Sequence, residues 1–197
     1  MSGKLVFLAR VMWAEKKRGR ASGPRRRSHS TAYGGACPER TLLSVALAHT
    51  FQTDTVCMTF GSVWGTVMAD MGAVYSLAYA VQAGVAQALE VPLSDLAVTV
   101  RQTPASGLPT VVLYDAVPGG AGLVSQLVDE GVLAQAMHLG LEPVGGACGC
   151  DADSSCYGCP RTYQNQYLHP VLRRGDALRL LERLQAVLEP EVTWRLG

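Results

Sequence analysis

Four cysteines lie within twelve residues in the C-terminal part of the chain. They form a C-x-C pair and a C-x-x-C pair separated by DADSS: Cys148, Cys150, Cys156 and Cys159. Four thiolates from two close pairs can converge tetrahedrally on one ion, and a closed set of four cysteines suits zinc best. Because such a site has no open position for a catalytic water, we expect the metal to stabilise the local fold rather than to catalyse hydrolysis.

Other kinds of cysteine site fit this spacing less well. Disulfides are disfavoured in a chain interpreted as cytoplasmic, and neighbours this close would enclose only trivial loops. An iron–sulfur cluster accepts four cysteines, but the spacing matches neither common ferredoxin pattern. Pro160 follows the C-x-x-C where attached c-type haem needs a histidine. His169 is an alternative zinc ligand, a redox role stays open, and Cys57, in a predicted strand, is expected to be buried.

A polar segment rich in tyrosine, amide and arginine side chains follows the cysteines. Its arginines, Arg161, Arg173 and Arg174, have the charge to contact phosphates, and its amides can hydrogen-bond to bases. The alternative is a polar network that ties the metal segment to the body of the protein. The candidate members of that network are Tyr163, Asn165, Gln166 and His169.

A glycine-rich turn follows an apolar strand at YDAVPGGAG, residues 114–122. Asp115 ends the strand, and the glycines are Gly119, Gly120 and Gly122. A turn of this kind before a helix can bind an anion, but no GK[ST] follows and the G-x-G-x-x-G spacing is absent. The structural alternative is a tight turn that binds no ligand.

Hydrophobic periodicity predicts the elements that must position these motifs. Alternating apolar and polar residues predict strands, whereas apolar residues at three- and four-residue spacing predict helices. The predicted strands are 55–60, 97–101 and 110–115, and the predicted helices are 71–90, 123–140 and 176–189. We therefore predict the α+β class: a single mixed α/β core with a C-terminal four-cysteine zinc knob (residues 148–170) and a final amphipathic helix.

Charge divides the chain into a basic N-terminal arm, residues 1–40, and a mildly acidic body, residues 41–197. The arm has ten Lys and Arg against two Glu, and the body has seven Arg against fourteen Asp and Glu. We expect the arm to be flexible and to contact nucleic acid or an acidic partner. Its candidate nucleic-acid ligands are Lys16, Lys17, Arg18, Arg25, Arg26 and Arg27.

Neither a signal peptide nor a membrane span is predicted. The N-terminal apolar stretch is short, because Arg10 and a basic run follow it. The longest apolar stretch, 71–89, contains Gln82 and Gln87 and has the spacing of a buried helix. We therefore expect a cytoplasmic protein that does not enter a membrane.

The order of three motifs resembles that of a known family. The motifs are YDAVPGGAG, C-x-C-x5-C-x2-C and Y-x-N-Q-x-x-H-x-x-L-x-R-x-x-A-L, and TDTVCMTF (53–60) and the helix SLAYAVQAGVAQAL (76–89) also fit. Together they resemble the MrfA-type zinc-binding domain, which follows the motor core of superfamily-two DNA helicases and occurs in some phage-defence proteins. The likeness covers about residues 42–185.

The resemblance implies that the four cysteines bind Zn²⁺ and that residues 41–197 form a helicase-associated domain. It implies DNA repair or antiviral defence, with the domain supporting a helicase's grip on DNA. Pro160 stands where the family often has Leu, and Arg173 where it has Asp. The chain has no Walker A motif, no DEAH-like box and no room for two motor domains, so it would be a fragment, one half of a split helicase, or a small subunit. We expect a non-catalytic accessory domain or subunit that binds DNA with a helicase or ATPase motor in trans. The alternatives are a nuclease or hydrolase that uses Asp115 and the glycine turn, and a protein-binding scaffold.

Overall fold

The structure is a computed structural model that describes residues 2–11, 45–60, 70–102 and 108–188. The chain divides into two compact units. The larger unit comprises residues 1–3 and 52–197, and the smaller unit comprises residues 4–51. The smaller unit contains most of strand β1 (Ser2–Val11) and the first residues of strand β2 (Val45–Thr59). All elements that bear on the cysteines belong to the larger unit.

Strand β2 and two further strands, β3 (Leu96–Gln102) and β4 (Pro109–Asp115), lie side by side in the order β2-β4-β3. Strand β4 pairs antiparallel with β2 on one side and with β3 on the other. All seven residues of β4 are buried, as expected for a strand rich in β-branched residues with neighbours on both edges. The three predicted strands are therefore present, and β2 extends back to Val45.

The prediction that Cys57 is buried is wrong. Its neighbour Met58 is buried, whereas Cys57 is exposed. Successive side chains of a strand point to opposite faces, so the residue after or before a core position faces away from that core. The apolar character of cysteine suggested burial, but its position in the alternation decided its exposure.

Helix α1 (Met71–Ala88) is the central helix of the larger unit. It begins at the N-cap Asp70, whose carboxylate accepts hydrogen bonds from the backbone N–H groups of Gly72 and Ala73. Helix α1 packs against β3, β4 and the helices that follow. The predicted apolar face is fully buried at Val74, Leu77, Val81 and Val85. Gly84 allows α1 to approach closely the later helix that contains Ala136 and ends beside Gly140. A Cβ at position 84 would lie 2.6 Å from the Gly140 nitrogen.

The predicted helix over 123–140 is two elements rather than one. A 3₁₀ turn spans Val124–Val128, and helix α2 (Glu130–Leu139) begins after the N-cap Asp129. The Asp129 carboxylate accepts hydrogen bonds from the N–H groups of Gly131 and Val132. An aspartate that caps the N–H groups ahead of it starts a new helix, which explains the break. Helix α3 (Leu141–Val144) follows directly.

The zinc knob lies between α3 and the last helix, α4 (Arg174–Leu188). Helix α4 packs against α1, α2 and α3 through a buried face that includes Ala177, Leu180, Leu181 and Leu184. The α+β class, the four-cysteine cluster and the final helix are thus confirmed. Among the described residues, no helix combines the length and the apolar character that a bilayer span needs.

Candidate metal centre

The four cysteine sulfurs converge on one point. Their Sγ atoms all lie within 4.8 Å of one another. Three of the separations are 3.4 Å (Cys148 to Cys150), 3.6 Å (Cys150 to Cys159) and 3.7 Å (Cys156 to Cys159). Four sulfurs placed tetrahedrally at the usual Zn–S distance of about 2.3 Å are about 3.8 Å apart. The donor set and its spacing therefore fit one tetrahedral zinc ion.

Backbone groups of the second cysteine pair hold the sulfurs in place. The N–H of Cys156 donates to the Sγ of Cys159 (3.0 Å), and the N–H of Gly158 donates to the Sγ of Cys156 (3.3 Å). A Cβ at Gly158 would lie 3.1 Å from the Cys148 Cβ, so a glycine lets the two pairs approach closely. Hydrogen bonds from N–H groups to sulfur stabilise thiolates and therefore favour metal binding.

The environment separates the pKa values of two of the thiols. Hydrogen bonds from the backbone N–H and then the side chain of Cys150 lower the pKa of Cys148 to about 7. Burial raises the pKa of Cys159 above its usual range. A metal must displace the proton from Cys159, whereas Cys148 is partly ionised at neutral pH. Metal uptake is therefore coupled to proton release.

A serine and a backbone hydrogen bond attach the cysteine segment to the residues at the start of α4. The buried hydroxyl of Ser155 donates to the carbonyl of Leu172 (2.8 Å) and accepts from Nε of Arg161 (2.8 Å). The N–H of Arg174 donates to the carbonyl of Ser154 (2.8 Å). The metal segment and α4 are thus joined by hydrogen bonds that the cysteine pattern alone did not indicate.

A polar network centred on Asn165 organises the segment after the cysteines. The side chain of Asn165, which is fully buried, accepts from the N–H of Thr162 and donates to the carbonyl of Pro160, both at 2.8 Å. Nε2 of His169 lies 3.0 Å from Asn165 Oδ1 and 3.0 Å from the carbonyl oxygen of Thr162. His169 therefore belongs to this network and lies outside the sulfur cluster. Gln166, a further candidate member, is exposed.

The three arginines of this region all make contacts within the protein. Arg173 forms salt bridges with Asp70 (2.7 Å) and Asp176 (3.3 Å), and so links the starts of α1 and α4. Arg174 donates to the carbonyl of Val144 (2.9 Å), and Arg161 bonds to Ser155. These contacts position the zinc knob. The charge of Arg173 is paired with two carboxylates, and all three arginines are partly buried.

The glycine turn after β4 is closed by carboxylates of the protein itself. Asp115 is fully buried, and its carboxylate accepts from the N–H groups of Ala121 (2.7 Å), Leu123 (3.1 Å) and Val124 (3.0 Å). Asp54, which the sequence analysis did not single out, accepts from the N–H of Gly122 (3.2 Å). The N–H groups that an anion would use are therefore occupied, and a buried carboxylate bonded in this way is poorly placed to reach a substrate.

Positive φ angles explain the glycines of this turn. The values are +97° at Gly119, +77° at Gly120 and +75° at Gly122. Residues other than glycine rarely adopt such angles. The turn thus has the structural role that the sequence left as one of two alternatives.

Three tyrosines of the zinc knob are exposed: Tyr157 (68%), Tyr163 (83%) and Tyr167 (76%). Tyr163 was a candidate member of the polar network, and its ring lies at the surface instead. Tyr157 was not singled out, although its place inside the C-x-x-C limits where its ring can point. The basic candidates Lys16, Lys17, Arg18, Arg25, Arg26 and Arg27 lie outside the described residues.

One comparison with known proteins agrees with the metal site. Residues 77–160, which contain all four cysteines, match the family model of the MrfA Zn-binding domain. A crystal structure of the DUF1998 helicase MrfA bound to DNA is similar at 17% sequence identity and a TM-score of 0.47, and the match covers 78% of this chain and 19% of that one. This chain thus spans about a fifth of the length of that helicase. A search of curated proteins gave no match.

Proposed function

We propose that this chain is a non-catalytic zinc-binding component of a helicase-like DNA-processing complex, because residues 77–160 match the family model of the MrfA Zn-binding domain. One observation carries the proposal: the four cysteine sulfurs lie within 4.8 Å of one another inside the segment that matches the family model. The resemblance of the segment after the cysteines extends the likeness beyond that match.

Zinc in this site has a structural role. Its four positions are filled by Cys148, Cys150, Cys156 and Cys159, so it presents no open position to a substrate. Binding by such a site contributes on the order of 10 kcal/mol to local folding. Hydrogen bonds from Ser155 and to Ser154 connect the cysteine segment to the start of α4. Zinc that orders this segment therefore also stabilises the start of that helix.

The finer parts of the proposal concern partners and place of action. The motor is a helicase or ATPase that acts with this chain in trans, and the assembly works on DNA in the cytoplasm, in repair or in antiviral defence. Residues 1–40 form a basic arm that adds phosphate contacts, and residues 41–197 form the helicase-associated domain. The excess of Lys and Arg in the arm supports DNA contact because phosphate neutralisation provides sequence-independent affinity.

The test is purification of the chain from its own host with its associated proteins, followed by elemental analysis of the same sample. We expect one zinc per chain and a co-purifying ATPase. Cys148→Ser should lower both, whereas Cys57→Ser, a matched control at an exposed cysteine outside the cluster, should lower neither. Iron, absence of metal, or zinc without any ATPase would contradict the proposal.

A binding assay tests the DNA contact itself. The affinity of the zinc-loaded chain for DNA should fall steeply as the salt concentration rises, since bound Lys and Arg release counterions from the phosphates. Binding that is indifferent to salt, or capture of an acidic protein with no affinity for DNA, would favour a protein-binding scaffold.

A further inference from the structure

Exposed aromatic side chains are concentrated in the zinc knob. Seven large apolar side chains are exposed among the residues for which burial is described, and three of them are tyrosines between 157 and 167: Tyr157, Tyr163 and Tyr167. Isolated exposed apolar residues are ordinary on protein surfaces, whereas a group of them marks a binding surface. The proposed role of zinc in folding accounts for the cysteines but leaves these three rings unexplained.

The backbone that carries the tyrosines is held by several contacts. Tyr157 lies inside the C-x-x-C, and its ring meets the His169 ring edge-on, with centroids 5.5 Å apart and planes at 84°. His169 is in turn fixed by Asn165. A side chain that is already ordered loses little conformational entropy when a ligand binds, so such rings provide contact area at low cost.

Tyr167 is linked to helix α1. It lies on a short 3₁₀ turn, Gln166–Leu168, in which Leu168 is buried and anchors the turn. Tyr167 lies close to Tyr79 of helix α1, and burial together with the neighbouring tyrosines raises the pKa of Tyr79 above its usual range. The hydroxyl of Tyr79 is therefore neutral at physiological pH, and the ring of Tyr167 remains 76% exposed.

Charge identifies the kind of partner. Residues 154–175 contain three arginines and no Asp or Glu, whereas the exposed Asp151 and Asp153 lie at the start of the knob. Within the described part of the chain, neither Arg161 nor Arg174 forms a salt bridge, so each keeps an uncompensated positive charge. Gln164 and Gln166 are exposed and present amides beside the tyrosines. An anionic partner with flat, polar-edged rings complements this surface.

We propose that Tyr157, Tyr163 and Tyr167 bind single-stranded nucleic acid by stacking against unpaired bases. The bases of a duplex already stack on one another, so exposed aromatic rings select single strands. Nearby arginines attract the phosphates, and the glutamine amides hydrogen-bond to base edges. This inference rests on the proposed function, because it names the nucleic acid that the zinc-binding domain of a DNA-processing complex would contact.

The test measures the affinity of the zinc-loaded full chain for a fluorescently labelled 20-nucleotide DNA strand of mixed sequence and for the corresponding duplex. Tyr163→Ala removes a ring, Tyr163→Phe keeps it, and Val128→Ala is a matched control at an exposed apolar residue outside the knob. Zinc content and circular dichroism confirm that each variant is folded.

Tyr163→Ala should weaken single-strand binding about five- to a hundredfold, as loss of one stacked base predicts. Tyr163→Phe and Val128→Ala should stay within about twofold of the wild type, because stacking needs the ring and not its hydroxyl. The salt dependence of the remaining affinity should be unchanged, since no charge is removed.

Three results would overturn the inference: equal affinities of Tyr163→Ala and wild type, equal losses for single strand and duplex, or no binding of the wild-type chain to the single strand. The proposed function fails by different results, namely loss of the zinc or of the co-purifying ATPase. If zinc and the ATPase are present but Tyr163→Ala binds normally, the accessory role stands and the stacking surface is refuted.

Discussion

Replacement of Asp115 by asparagine tests whether this carboxylate closes the glycine turn or performs chemistry. Its two oxygens accept three backbone N–H groups, two at Oδ2 (Ala121 and Leu123) and one at Oδ1 (Val124). An asparagine has one oxygen in place of two. If that oxygen takes the Oδ2 position, its amide N–H₂ faces the N–H of Val124, which is left buried without an acceptor.

The magnitude follows from these contacts. An unpaired buried donor costs about 1–3 kcal/mol, and the two remaining hydrogen bonds each lose about 0.5–1 kcal/mol when the acceptor is no longer charged. We therefore expect Asp115→Asn to lower the free energy of unfolding by about 2–5 kcal/mol. In urea this corresponds to a midpoint about 1–2 M lower.

The assay is urea unfolding of the zinc-loaded chain, followed by far-ultraviolet circular dichroism and with zinc content measured beforehand. Asp54→Asn is the matched control in the same turn. The Asp54 carboxylate accepts a hydrogen bond from the N–H of Gly122 at 3.2 Å. The asparagine side chain can rotate so that its oxygen still accepts this bond, and the loss in free energy of unfolding should therefore stay below about 1 kcal/mol. Asp115→Asn with wild-type stability, or equal losses in the two variants, would refute a closing role. Hydrolysis of nucleic acid that vanishes in a stable Asp115→Asn chain would indicate catalysis instead.

Three further predictions concern packing, metal and pH. Gly84→Ala should lower the free energy of unfolding by about 2–3 kcal/mol, because the new Cβ would lie 2.6 Å from the Gly140 nitrogen; no loss in thermal unfolding would contradict the close contact. Removal of zinc by a chelator should speed hydrogen exchange in residues 148–170 while α1 keeps its protection, and equal change in both would show that zinc holds the whole unit. The hydrogen bond with Arg173 lowers the pKa of Asp70 below its ordinary value, so this pair stabilises the fold at neutral pH and loses that contribution as the pH falls through the lowered pKa. Asp70→Asn, which keeps the helix cap, should therefore cost at most about 1 kcal/mol at pH 7, since the pair is exposed, and progressively less as the solution is acidified; a difference independent of pH would exclude the charge effect.

Local sequence patterns predicted the structure correctly where it depends only on residues that are close in sequence. The two cysteine pairs are so close in sequence that few backbone conformations keep their sulfurs apart. The alternation around Met58 and the helical spacing around Leu77 each depend on a single strand or helix. The break at Asp129 was predictable in principle, because an aspartate followed by Glu and Gly is an N-cap signal. It was missed because the apolar spacing continues across it.

Contacts between distant residues could not be predicted in the same way. Whether Asp115 is a catalytic group or a cap depends on where the N–H groups of Ala121 to Val124 point, and this is fixed only when the turn folds back onto β4. The arginine at 173 has a partner 103 residues away at Asp70. No local pattern distinguishes such an arginine from one that binds phosphate.

The sequence by itself determined the four-cysteine pattern, the class of fold, the strands β3 and β4 and the helices α1 and α4, because each follows from spacing along a short stretch of chain. Only the tertiary structure decided which polar side chains are used up inside the protein and which remain at its surface. Hydrogen bonds and burial depend on what the rest of the chain brings alongside a residue. Asn165 and Tyr163 lie two positions apart, yet one is fully buried in a network and the other is 83% exposed.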